Sequence, residues 1–379
     1  MKSRVLFVGI AAAGLGAAFL AGAAAASAHA VAPRVVYVAP VQHAGGWGSS
    51  CAHPDYTAIQ DAIEGVASGG TVVVCKGTYP GMVNVDKAIT LAGRPGATID
   101  ATGDVYGIGV SASWSTVTGM KVMNASPLDP ENNQLADGIL TIALTADGPV
   151  AADHVRIVHN EVTGNLGSGI DINSSSYSTA SFNVAHDNGV GINVADDIGL
   201  PANHNTITFN TTNENFGGCG IALADHSGAG VSYNTVAFNT SDDNGLATAT
   251  APDASAGSGV ILASPIPGGI VKGNLISGNE FHGNGHGGVV MHAHAPGSDF
   301  SGNAITYNRI GTNNVRTDEN DLQTTGIYLG SFSAQSVKVT GNVIGPDYYG
   351  IFTSGPVTIT GGPNAYLAVT HKLGSAPTF

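Results

Sequence analysis

Asp196, Asp197, Asp225, His226, His292 and His294 are the side chains of this sequence whose types and spacing suit proton transfer. Asp171, Asn173 and Asn193 join them once the repeats described below are aligned, and these add groups able to bind a hydroxyl-bearing ligand. Two carboxylates held close together push one pKa up, so that one keeps a proton while the other is ionised. Glycoside hydrolysis uses that arrangement, with roughly 5 Å between carboxyls in retaining enzymes and roughly 6.5–9.5 Å in inverting ones. An imidazole of His226, His292 or His294 could carry the proton instead. The first six positions are therefore the candidate catalytic set, and Asp171, Asn173 and Asn193 the candidate substrate-binding set. The same residues would also serve as polar turn residues in any solenoid.

Two further groups suggest metals. Asp318, Glu319 and Asp321 lie in one short acidic segment with oxygen ligands enough for calcium. His282, His286, His292 and His294 offer imidazoles. No cysteine joins them and no HExxH helix is present, so the zinc pattern is incomplete.

The elements that must position these residues are repeats. A glycine followed by an aliphatic, with a second aliphatic two residues on, recurs at Gly107, Gly138, Gly169, Gly191, Gly220, Gly259, Gly288, Gly326 and Gly350. The shortest interval is 22 residues, about one coil of three short strands, and the longer intervals read as that coil plus a loop. Asparagines fall five apart in triples such as Asn205, Asn210, Asn215 and Asn234, Asn239, Asn244. Asparagine tolerates left-handed backbone, and stacked amides can bond one another. The expected fold is all-β: a single-stranded right-handed parallel β-helix of about nine to eleven coils, in which no repeat is stable alone.

Strand alternation then assigns faces. If Ile170, Ile172, Ile192, Val194, Ile221, Leu223, Val289 and Met291 point inward, Asp171, Asn193, Ala222, Ile261 and Val290 form one outward column. Asn173, Ala195, Ala224, Ala263 and His292 form the next. Insertions at 245–258 and 314–325 leave from the same corner and would wall a groove beside these columns.

Residues 1–30 read as a signal peptide: Lys2 and Arg4, an apolar run from Val5 to Ala26, then Ala28-His29-Ala30. Residues 31–49 read as a linker, 50–100 as an N-terminal cap with the first coils, 101–360 as the β-helix, and 361–379 as a C-terminal cap or tail. In the cap, Thr57-Ala58-Ile59-Gln60 has a capping-box pattern, and Ile59, Ile63 and Val66 share one helix face. Cys51 and Cys75 flank that helix and are paired as a disulfide, leaving Cys219 as a buried thiol. Export to the extracellular space is the expected localisation.

Beyond residue 30 the chain carries 11 Lys and Arg against 27 Asp and Glu. That balance argues against nucleic acid, whose phosphates need clustered basic residues. No second stretch is apolar enough to span a bilayer. The expected state is a monomer.

The stretch from Tyr56 to Leu91, YTAIQDAIEGVASGGTVVVCKGTYPGMVNVDKAITL, resembles the opening of many secreted parallel β-helix proteins. These include pectin methylesterases and the periplasmic proteins that assist nitrous-oxide reductase maturation. The repeats after it resemble those of the pectin-lyase-like superfamily. That resemblance implies the fold and leaves chemistry open, because the scaffold hosts lyases, hydrolases, epimerases, esterases and non-enzymes. Asp196-Asp197 and Gly285-His286-Gly287 mimic two polygalacturonase elements, but the NTD and RIK elements are missing, as are the methylesterase QDTL and DFIFG segments and the epimerase DPH motif. The expected function is binding or cleavage of an extracellular polysaccharide by hydrolysis or elimination. The alternatives are a non-catalytic surface or scaffold protein and a metal-delivery maturation factor.

Overall fold

The computed structural model describes residues 32–41, 50–127, 136–142, 144–145, 148–246, 257–316 and 323–379. The signal-peptide segment therefore lies outside the described residues, as do Asp318, Glu319 and Asp321.

Three parallel sheets run the length of the described chain, with 12, 11 and 11 strands. We call them sheets I, II and III in the order the chain visits them. The first coil uses Thr71–Val74, Gly77–Pro80 and Val83–Val85, and the eleventh uses Val357–Thr360, Ala365–Tyr366 and His371–Ala376. Each strand pairs with its counterpart one coil away, so that Ile170 pairs with Ile192, Ile192 with Ile221, Ile221 with Val260 and Val260 with Val289. These aliphatics are fully buried and form one core along the axis. Coils cannot slip, because a shift of one residue would turn this row outward.

The recurring glycine sits where the chain enters sheet III. A Cβ on Gly191 would lie 2.4 Å from the carbonyl oxygen of Gly220 in the next coil. Only glycine lets the two backbones approach that closely.

The asparagines are buried and stacked, but they are not the left-handed residues. The residue before most of them takes that conformation: Phe182, Phe209 and Phe238 have φ of 56–57°, ahead of Asn183, Asn210 and Asn239. The amide is thereby freed to bond along the axis. Asn210 Nδ2 donates to Ala180 O and to Asn239 Oδ1, both at 2.9 Å, and Asn210 Oδ1 accepts from the backbone and side-chain nitrogens of Asn183. The longest such ladder runs through Asn160, Asn183, Asn210, Asn239, Asn279, Asn308, Asn342 and Asn364.

Three expectations at the ends need correction. Residues 31–49 are not simply a linker, because Val35–Val38 pairs with Thr71–Val74 and opens sheet I. The capping box is absent: the helix is Ile59–Gly65, its N-cap is Ala58, and no side chain caps it. Lys87 Nζ instead closes the other end by donating to the carbonyls of Glu64 and Val66, each at 2.8 Å. At the C-terminal end, residues 361–379 add strands to sheets II and III rather than forming a separate cap, since Tyr349–Ser354 pairs with His371–Ala376. Phe379 alone turns back, and lies against His292 and His294. The Cys51–Cys75 disulfide ties the segment before the helix to the end of the Thr71–Val74 strand, and Cys219 is buried and free.

Candidate functional site

The outward columns of sheet III are those expected from the repeat. Asp171 pairs with Asn193, Asn193 with Ala222, Ala222 with Ile261 and Ile261 with Val290, and the neighbouring column runs Asn173, Ala195, Ala224, Ala263, His292. Sheet III's outer face is largely buried, however. Asp171 and Asn173 are each 3% exposed, and Val290 and Tyr328 are fully buried. Both insertions leave between a sheet II strand and a sheet III strand, but residues 247–256 and 317–322 fall outside the described residues.

Polar groups gather at two places on this face. The first centres on Asp171. Asn193 Nδ2 donates to its Oδ1 at 3.1 Å and Asn173 Nδ2 to its Oδ2 at 3.3 Å. The same Asn173 nitrogen donates to Asp197 Oδ2 at 2.7 Å. Bonds of 3.3 and 2.7 Å meeting at one nitrogen keep the two bonded Asp171 and Asp197 oxygens no more than about 6 Å apart. Asp197 in turn accepts from His226 Nδ1 at 2.5 Å, and this pair is part exposed.

The environments of these groups differ sharply. Burial pushes the Asp171 carboxyl well above the usual range, and the charges of Asp137 and Asp197 push it further. Asp137 is driven up to about 7 by burial, against the hydrogen bond that Ser168 N–H donates to it at 2.7 Å. Burial thus favours the protonated form of both acids beside the exposed Asp197. The Asp197 hydrogen bond, ahead of opposing burial, raises the pKa of His226.

Asp137 was not among the expected site residues. It stands one position before the Gly138-Ile139 anchor, where the other coils carry no acid, and an alignment extended by one residue would have marked it.

Asp196 and Asp225, expected as acid and base, are structural. Asp196 accepts from the backbone N–H of His226, Ser227 and Gly230 and from Ser227 Oγ, so one carboxylate orders the next coil's turn. Burial pushes its pKa up, but the hydrogen bonds from Ser227 and Asp225 outweigh this and hold it below the ordinary value. Asp225 accepts from Gly228 N–H in its own turn and from Ile270 N–H in the following coil, and burial raises its carboxyl.

The second gathering is His286, His292 and His294 around Tyr328. The rings meet edge to face, with centroids 4.7–5.3 Å apart. Burial drives His286 down to about 4, and burial with its two imidazole neighbours holds His292 well below the usual value. Gly287 N–H donates to His286 Nδ1 at 2.6 Å, which leaves the ring proton on Nε2. His282 lies apart from this group, on sheet II.

This architecture defines a right-handed parallel β-helix. Residues 81–246 and, in an overlapping second alignment, residues 146–350 match the profile of NosD, described as a periplasmic copper-binding protein; the chain belongs to the NosD family. No curated protein matches the sequence. Among solved structures, the catalytic domain of Agl-KA is similar, with a TM-score of 0.58 at 16% identity over 81% of this chain and 62% of that domain. The chain thus spans less than two thirds of that relative. The Streptococcus pneumoniae surface protein and adhesin PfbA gives 0.53 at 14% identity, over 84% of this chain and 94% of that one. Pectate lyase Pel9A gives 0.52 at 17%, over 91% and 82%. At these identities the likeness shows the fold alone.

The copper in the family's description was tested against the residues. Among the described residues no three His, Cys, Asp or Glu side chains are grouped so as to hold a metal ion. The closest approach, the histidine group, has edge-to-face rings, and the His286 nitrogen left free by its backbone bond carries a proton and has no lone pair to give. These residues do not fit copper.

Proposed function

We propose that the protein is an exported β-helix that binds a polysaccharide at the Asp171–Asp197 end of sheet III and hydrolyses it there. The observation that carries this reading is the Asn173 amide bridging the buried Asp171 carboxyl, whose protonated form burial favours, and the exposed Asp197 carboxyl. Asp197 takes a proton from a water whose oxygen bonds to the anomeric carbon, the glycosidic bond breaks, Asp171 gives its proton to the leaving oxygen, and Asn173 fixes the separation of the two carboxyls. The Asp197–His226 pair, being exposed, makes first contact with sugar hydroxyls.

Elimination is the weaker chemistry here. A lyase must neutralise a uronate carboxylate, and between Arg156 and Lys272 the sequence contains no Lys or Arg. Calcium at Asp318, Glu319 and Asp321 would be the remaining route. The disulfide and the family's periplasmic description support a location outside the cytoplasm. The finer assignment is release into the extracellular space as a monomer.

The test is a panel of polysaccharides incubated with protein lacking residues 1–30, with calcium and with chelator, following reducing ends and the ultraviolet absorbance of unsaturated products. New reducing ends without absorbance support hydrolysis, absorbance indicates elimination, and retention without either product reduces the protein to a binder.

A further inference from the structure

Sheet I carries two rows of stacked rings that the candidate site does not use. Trp114, His154, Tyr177, His204 and Tyr233 stack in succession, with centroids 3.9, 5.2, 5.0 and 5.3 Å apart and planes within 15° of parallel. Five residues further along each coil, His159, Phe182, Phe209 and Phe238 make a second row spaced at 5.0–5.2 Å. All nine residues have positive φ, at the corners flanking the three-residue strands of sheet I. The rings line the solenoid rather than its core, and Trp114, Tyr177, Phe182, Phe209, Tyr233 and Phe238 are each at least half exposed.

Between the rows lies a floor of small side chains. Ala180, Ile207 and Val236 point into the core, so Thr179, Thr206, Thr208 and Thr235 point out and are part exposed, while Ser181 on the same face is buried. A five-residue span puts the walls roughly 15 Å apart. The stacked faces cover one another, which leaves ring edges and polar tips to solvent. One wall presents indole, imidazole and phenol tips, the other mostly phenyl edges, and the floor presents hydroxyls.

We propose that this trough binds a neutral, linear glycan lying along the solenoid axis, at a site separate from the sheet III site. Charge is the first argument. The chain has a formal charge of −14, yet the floor strands Thr179–Ser181, Thr206–Thr208 and Thr235–Ala237 hold no ionisable side chain, and the cations Arg156 and Lys272 stand only at the two ends of this stretch. Along these three central rungs an anionic polymer meets no cation, and a cationic partner no anion. Chemical duality is the second argument, since a sugar chain alternates C–H patches with a hydroxyl rim and the trough offers an apolar wall, a hydroxyl floor and hydrogen-bonding tips. Pre-organisation is the third, because stacked rings have already lost their rotamer freedom and binding need not remove it again.

Native affinity electrophoresis tests this, with galactomannan and hydroxyethylcellulose in the gel and polygalacturonate as the anionic comparison. A ladder variant combines Tyr177→Gly, Phe182→Gly, Phe209→Gly and Tyr233→Gly. Glycine keeps the backbone, because Gly273 and Gly278 hold the same corners with φ of 65° and 68°. Phe209→Glu is a second, lighter variant, since Glu214 adopts the same conformation at a neighbouring corner. Circular dichroism and melting establish that each is folded. The expected result is retardation by a neutral polymer, weakened at least tenfold in both variants and unchanged in Asp197→Asn. Equal retardation of wild type and variants, stronger retardation by polygalacturonate, or none by either neutral polymer overturns the proposal. So does self-association of the wild type that the ladder variant abolishes, which would make the rings a contact between copies. Loss of binding in Asp197→Asn alone would assign the glycan to sheet III.

Discussion

His226 Nδ1 lies 2.5 Å from Asp197 Oδ1, joining the part-exposed ends of two successive coils across the face of sheet III. The hydrogen bond raises the pKa of His226, so its stabilising effect is complete below the unfolded value of about 6.5 and is lost as pH rises through the folded value. Asp197→Asn should lower the His226 pKa in an NMR titration and cost less than about 1 kcal/mol, because the pair is screened by solvent. Hydrolysis should fall at least a hundredfold. Activity retained in this variant would remove Asp197 from the site.

Asp347 occupies the rung where an asparagine ladder would continue after Asn313. Its Oδ1 accepts Asn313 N–H at 3.1 Å, while its buried Oδ2 has no partner. Burial pushes this carboxyl up to about 8. A raised acid favours the folded state only while protonated, so stability should decline from the unfolded pKa of about 3.9 up to about pH 8 and level off above. Asp347→Asn should flatten part of that decline and raise the melting temperature by several degrees at pH 8. Melting curves of both proteins between pH 4 and 9 measure the difference, and parallel curves would contradict it.

Asn210→Ala removes both halves of a rung. It leaves the Asn183 amide N–H and the Ala180 carbonyl buried without their partners, and each such group costs about 1–3 kcal/mol. The expected loss is about 3–4 kcal/mol in urea unfolding, with faster hydrogen exchange at Asn183 than at distant coils. A loss below about 1 kcal/mol would mean that water replaces the amide.

Reducing the Cys51–Cys75 bond opens a link across 24 residues, for which loop entropy gives about 3 kcal/mol. Hydrogen exchange should rise first over Ile59–Gly65 and Val35–Val38, and stay slow in the central coils. Uniform acceleration along the chain would show that the cap and solenoid unfold together.

The outward columns were legible because the glycine anchor is sterically compulsory. Gly191 cannot move along the chain without driving a Cβ into the Gly220 carbonyl, so aligning anchors aligns coils, and Asp171, Asn193 and Ala222 fall into register. The roles of Asp196 and Asp225 were not legible. Their partners, the turn amides of His226 and Ile270, are 30 and 45 residues away, and composition carries no trace of those bonds. Burial of Asp171 was equally hidden, since strand alternation gives the direction of a side chain and not what lies above it. The ring rows left a signal that spacing alone would have found, an aromatic or imidazole immediately before many of the ladder asparagines.

In the longest asparagine ladder every side-chain amide points the same way: from Asn160 through Asn183, Asn210, Asn239, Asn279 and Asn308 to Asn342, each Nδ2 donates to the Oδ1 one coil toward the C-terminus. Aligned amide dipoles add, and neighbours in such a chain polarise one another. The solenoid therefore has an electrical direction, its positive sense toward the last coil, built from neutral side chains. Removing one rung divides that dipole in two and weakens bonds on both sides of the gap.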